Sequence, residues 1–193
     1  MIYPATKNYI DFAVDSIKSG DIIVYPTDTL YGFGVDAKNT HAIEQLNRLK
    51  GRVQPLSIIV DNFSKIEQYA EFDSKISLEI KKLFPGKYTV LLNAKENNLS
   101  PLVQNTSTKM GIRIPNHFFP LALTKKIDSP IITTSINRHG KEAINEVSQV
   151  ELDFPNIDIY EDIHHTHSNG STIIDFTTST PKVVRIGDGQ YPL

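Results

Sequence analysis

Residues 21–37 read Asp21-Ile22-Ile23-Val24-Tyr25-Pro26-Thr27-Asp28-Thr29-Leu30-Tyr31-Gly32-Phe33-Gly34-Val35-Asp36-Ala37, and two features of this run decide the fold class. Asp21 to Tyr25 is β-branched and aromatic and stops at Pro26, as a short buried strand entering a proline-led loop would. Gly32 to Ala37 has the glycine spacing of a dinucleotide-binding turn, with Ala in the last place. That turn works only when its glycines follow a strand directly and open a helix whose N-terminus faces pyrophosphate. Here Pro26 to Tyr31 intervene and the next helical pattern starts near Thr40, so a Rossmann site is rejected.

Working outward, residues 6–19 carry Ile10, Val14 and Ile17 at helical spacing, with Thr6 as the expected cap and Gly20 as a left-handed stop. Thr40 is expected to cap a second helix bearing Ile43, Leu46 and Leu49, whose last turn holds Arg48 and Lys50 where cations suit the helix dipole. Asp73 opens a third helix, ended by Pro85-Gly86, and a further helix is expected over 117–126. Strands are expected at 56–60, 88–92, 110–114, 131–134, 157–160, 171–176 and 183–185. Interleaved helices and strands define an α/β chain. Only Thr177 to Pro181 separates the last two strands, too short a link for a parallel crossover, so the sheet is expected to be mixed. With no repeat or convincing linker, residues 1–193 read as a single domain, and the polar stretch 161–170 reads as a mobile loop.

Composition removes whole classes of function. The 193 residues include no Cys, which excludes a disulfide framework, a thiolate zinc site and a cysteine nucleophile, and fits a cytoplasmic address. No run approaches the length of a membrane span, and no signal peptide is expected. Twenty Lys and Arg against 22 Asp and Glu leave a charge of −2, so any anion site must be local. Gly86-Lys87 and Gly140-Lys141 lack the rest of a P-loop, and no Gly-x-Ser-x-Gly elbow occurs. His164, His165 and His167 lie in one polar loop without a second spaced cluster, so no metal site is assigned to them.

What survives is a set of separated loop motifs after strand ends, where open α/β sheets keep their ligands. They are Pro26 to Gly32, Lys50-Gly51-Arg52, Gly111 to Pro115, Thr133-Thr134-Ser135-Ile136-Asn137 and Ser171 to Asp175, followed by Arg185. Arg52, Arg113 and Arg185 can each fork onto a pair of carboxylate or phosphate oxygens, and Lys50 can act as a point charge. Singly, each has an ordinary alternative: a helix end for Lys50 and Arg52, a turn for Ser135 and Asn137, a solvent-facing strand position for Arg113. An arginine inside a β-branched strand nonetheless needs a partner if its face is covered.

In this order the motifs resemble the YrdC-like threonylcarbamoyl-AMP synthases, also called the TsaC family, from about residue 8 to the end. Lys50-Gly51-Arg52 matches the family's Lys-x-Arg signature and Ser135-Ile136-Asn137 its Ser-x-Asn signature; the stretches 25–34, 85–92 and 171–175 look like family blocks. The resemblance implies a twisted mixed sheet with flanking helices and a concave, locally positive ligand surface. It also implies synthesis of L-threonylcarbamoyl-AMP and pyrophosphate from L-threonine, bicarbonate and ATP. The product would go to a downstream transferase complex that makes N6-threonylcarbamoyladenosine in tRNA, with a weak tRNA contact conceivable. By matched position Thr29, Arg113, Thr133 and Ser171 would hold threonine. Lys50, Arg52, Ser135, Asn137 and Arg185 would hold ATP, with Lys50 and Arg52 also catalytic and Mg2+ accompanying the nucleotide. Two positions depart from the pattern: Val53-Gln54 stands where the family has Pro after Lys-x-Arg, and Ile136 where it has Ala. A family paralogue reduced to a non-catalytic RNA-binding module is the alternative; retention of both signatures argues against it.

Overall fold

The 21–34 segment folds as a hairpin. Its first strand, expected from the β-branched run, covers Ile23–Tyr25, and the Gly-Phe-Gly run forms a second, antiparallel strand, Gly32–Gly34, in register Val24 to Phe33. A strand is the one outcome that the dinucleotide pattern does not permit. The glycines make room: a Cβ on Gly34 would lie 2.5 Å from the Tyr25 ring, while Phe33 points the other way and is fully buried.

The structure, a computed structural model, describes residues 1–191; the last two residues of the expected 1–193 domain lie outside that description. In chain order the elements are β1 (Ile2–Pro4), α1 (Ile10–Ser19), β2 (Ile23–Tyr25), β3 (Gly32–Gly34), α2 (Thr40–Lys50) and β4 (Ser57–Ile59). There follow β5 (Ala70–Glu71), α3 (Ser74–Lys81), β6 (Tyr88–Ala94), α4 (Pro101–Gln104), β7 (Lys109–Arg113) and α5 (Phe118–Ile127). The chain continues with β8 (Ile131–Ser135), α6 (Val147–Asp153), β9 (Asp158–Glu161), β10 (Thr172–Asp175) and β11 (Lys182–Arg185).

The strands form one mixed sheet in the order β1-β9-β2-β3-β8-β4-β7-β6-β10-β11, with β5 added to the far end of β6. The pairs β1/β9, β2/β9, β4/β7 and β6/β10 are parallel and the rest antiparallel, including the β10/β11 hairpin anticipated from its short turn. Alternation along each strand splits the interior into two layers. Ile23, Tyr25, Ile59 and Ile131 pack under α1 and α5 on one face. Val24, Phe33, Ile58, Ile112 and Ile132 pack under α2, α3, α4 and α6 on the other. No helix among the described residues is long and apolar enough to cross a membrane.

Three local expectations are corrected. Thr6 makes no capping bond; residues 7–9 form a turn of 3-10 helix and α1 starts at Ile10, although Gly20 does close it at φ 91°. Asn39, not Thr40, caps α2, its Oδ1 accepting from the Ala42 amide, because it stands in the extended conformation that a cap requires. Thr40 instead donates to Ser100 Oγ. The 161–170 loop is tied down rather than free: Asp162 and His165 bond to the Tyr31 and Thr29 region, and Ser168 and Asn169 donate to Asp188.

Candidate active site

The α1/α5 face of the sheet changes character along each strand. On β4 and β8 the positions under the helices are Ile59 and Ile131, whereas two residues away on the same face stand Ser57 and Thr133. The neighbouring strands continue the small and polar floor with Gly111 and Arg113 on β7 and Thr89 on β6. Past the reach of α5 this floor opens as a cleft with about 700 Å³ of empty space, its open mouth included.

Seven of the nine residues singled out from the sequence line this one cleft: Thr29, Arg52, Arg113, Thr133, Ser135, Ser171 and Arg185. They come from the β2–β3 turn, the segment after α2, the ends of β7 and β8, the residue before β10 and the end of β11. Lys50 and Asn137 lie behind the wall. Lys50 is 1% exposed. Its Nζ donates to the carbonyls of Ser135 and Asn137 and to Asn137 Oδ1 and sits over the Phe33 ring. Asn137 Oδ1 also accepts from Ser135 Oγ at 2.9 Å. Lys50 thus buttresses the Ser135–Asn137 turn from the C-terminal end of α2. No carboxylate pairs with it among the described residues, and burial, with the Arg52 charge adding to it, pulls its pKa down to about 7.

Arg113 has the partner that its place in a covered strand demanded. Nη2 donates to Asp28 Oδ1 at 3.0 Å and to Thr29 Oγ1 at 2.9 Å, while Nε is buried without a partner among the described residues. Burial opposes the charge and Asp28 supports it; a guanidinium stays protonated under such conditions. Asp28 Oδ2 accepts from the Asn116 amide at 2.8 Å, which ties the β2–β3 turn to the start of α5. Thr29 is locked by Thr27, whose Oγ1 accepts from the Thr29 amide and donates to the Leu30 carbonyl.

Across the cleft, Arg185 donates from Nε and Nη2 to the Ser171 carbonyl and from Nη2 to Ser171 Oγ. Ser171 Oγ in turn pairs with Thr89 Oγ1 at 2.7 Å. Burial, and then the charge on Arg113, hold the Arg185 pKa below its ordinary value. Arg52 and Arg185 pair with no carboxylate among the described residues, so the cleft concentrates positive charge and N–H donors for an anion. Ile136 is fully buried in the core, so the departure from Ala between Ser135 and Asn137 leaves the lining unchanged.

Sequence reasoning gave no separate role to Tyr31, within the Pro26–Gly32 motif, and missed Ser57 and Thr89 in the lining. Thr89 carried a usable signal, the one aliphatic hydroxyl in the run 88–92. Asp28, the acidic residue of the Pro26–Gly32 motif, is assigned by its two bonds to support of Arg113 and Asn116.

Comparison with known proteins gives consistent results. The family model for Sua5/YciO/YrdC, described as "Telomere recombination", matches residues 15–187. A putative threonylcarbamoyl-AMP synthase of Methanocaldococcus jannaschii is 32% identical over 97% of this chain and 88% of its own length. The threonylcarbamoyl-AMP synthase of Bacillus subtilis is 31% identical over 71% of this chain; the match spans 40% of that longer protein. The crystal structure of P. abyssi Sua5 complexed with L-threonine superposes with a TM-score of 0.88 at 26% identity, covering 97% of this chain and 57% of the other.

Proposed function

The chain belongs to the Sua5/YciO/YrdC family, and from that premise we propose that it is a threonylcarbamoyl-AMP synthase, a nucleotidyltransferase that joins L-threonine, bicarbonate and ATP and releases pyrophosphate. The observation that carries the proposal is the convergence in one cleft of Arg52, Arg113 and Arg185 with the hydroxyls of Thr29, Thr133, Ser135 and Ser171. Such a lining suits two anions at once, a carboxylate at one end and a polyphosphate at the other.

Arg113, braced by Asp28, fixes the threonine carboxylate, and Thr29, Thr133 and Ser171 orient the amine and hydroxyl. The amine adds to the carbon of bicarbonate with loss of water, giving a carbamate. A carbamate oxygen then attacks the α-phosphorus of ATP and pyrophosphate leaves. Arg52 and Arg185 neutralise phosphate oxygens, while Lys50 and Asn137 act from behind by holding the Ser135 turn. The main barrier is the approach of negative groups to one another, which fixed cations and oriented donors lower.

Among the described residues no cluster of acidic or histidine side chains could cage a metal, and Asp28 is occupied by Arg113 and Asn116. Mg2+ would enter with ATP as part of the substrate, its ligands drawn from phosphate and water. On this reading the reaction takes place in the cytoplasm and its reactive product passes to a tRNA-modifying transferase.

Pyrophosphate release should require threonine, bicarbonate and ATP together. Release that ignores threonine, or tRNA binding without any release, would show a different activity on this fold.

A further inference from the structure

The cleft turn is held from outside by side chains that do not line the cleft. His165 Nε2 lies 2.5 Å from the Thr29 carbonyl. A carbonyl only accepts, so Nε2 carries the proton. The His165 ring rests 4.3 Å from the Tyr31 ring, and the Tyr31 hydroxyl accepts from the Asp162 amide and donates to the Asp162 carbonyl. Asp162 Oδ2 bonds His117 Nε2, whose other nitrogen accepts from the Phe119 amide at the start of α5. Asn116, beside it, donates to Asp28, and Asp28 pairs with Arg113. These links close a ring around the Thr29 and Arg113 end of the cleft.

We propose that His165 is a positioning residue for the amino-acid substrate: through its bond to the Thr29 carbonyl and its tilted ring contact with Tyr31 it fixes the 28–31 turn, so that the Thr29 hydroxyl and the Arg113 guanidinium present one geometry to the substrate carboxylate. The role rests on the activity proposed above. His165 is set apart from its neighbours by place: His164 and His167 are exposed, whereas His165 is half-buried against the turn. Burial also holds its pKa below the ordinary histidine value, which favours the neutral ring against Tyr31. Nothing in the ring reaches Arg52 or Ser135 at the other end of the cleft, so the effect should be confined to one substrate.

The test compares His165→Phe, which keeps the ring and removes the donor, with His165→Gln, which restores a donor. His165→Phe should raise the KM and Kd for threonine about tenfold, what one ordinary hydrogen bond is worth, and leave kcat and the KM for ATP within about twofold. His165→Gln should recover most of the threonine affinity. Amide hydrogen exchange at residues 29–32 should quicken in the Phe variant and not in the Gln variant. Unchanged threonine affinity in His165→Phe overturns the proposal, as does an equal loss for both variants on both substrates. If the wild-type chain releases no pyrophosphate, the activity and the substrate role fall together. Amide exchange in residues 29–32 that does not respond to His165→Phe overturns the anchoring role whatever the activity proves to be.

Discussion

Arg113 shows why a single side chain here cannot be read by its charge alone. The residue is 7% exposed and its Nη2 is shared between Asp28 and Thr29, so the planar geometry of the group matters as much as its charge. Arg113→Lys keeps the charge and loses the fork; threonine KM should rise more than about tenfold while ATP KM stays within about twofold, measured by pyrophosphate release. Arg113→Ala should in addition cost about 3–5 kcal/mol of stability, because Asp28 would be left buried and unpaired. Lys50 is the opposite case, a buried cation with no anion. Its pKa near 7 in the fold lies below the ordinary value of about 10.4, so between these two pH values the unfolded chain holds the extra proton and stability rises with pH. In urea titrations at pH 7 and pH 9.5 the wild type should gain on Lys50→Met as the pH rises. A gap that is flat or widens against the wild type would contradict the burial of the charge.

At the scale of elements, Asn39 and Thr40 mark how a sequence can point to the right helix and the wrong cap. Asn39→Ala should destabilise the protein by about 1 kcal/mol in chemical denaturation, the usual worth of a side-chain cap. Thr40→Ala should cost less, since it removes only the bond to Ser100. Most strands and the four longest helices were legible because their apolar periodicity survives in isolation. β3 was not, because its two glycines carry no β-propensity; the Tyr25 ring packed over Gly34 explains why the strand is glycine at that position. β5 escaped notice because two residues are too few for a pattern, and β1 because Ile2-Tyr3 is cut short by Pro4 with no longer apolar run around it. Within the site, motif residues were legible as types, since hydroxyls and arginines after strand ends are uncommon company. Their division into lining and support was not: Lys50 and Arg52 are two residues apart, yet the left-handed turn at Gly51 sends one under the Ser135 turn and the other into the cleft. Thr89 and Ser171 meet only because β6 and β10 pair in parallel.

Taken whole, the molecule carries a net charge of −2 while its cleft gathers Arg52, Arg113 and Arg185. From that contrast the cleft is expected to draw an anion before any chemistry occurs. Pyrophosphate at a hundredfold excess over its Kd should stabilise the native state by about 2.7 kcal/mol, read as a rise in Tm that shrinks at high salt. Arg52→Ala or Arg185→Ala should abolish most of the rise, and Lys18→Ala, far from the cleft on α1, should leave it intact. The alternation along β4, β6 and β8 has a further bearing on how such a protein can change over time. Ser57, Thr89 and Thr133 face the cleft, while the residues next to them, Ile58, Val90 and Ile132, serve the opposite layer. Variation at the three hydroxyl positions can therefore reshape the cleft without loosening the interior, leaving selectivity free to drift under selection while the scaffold stays intact.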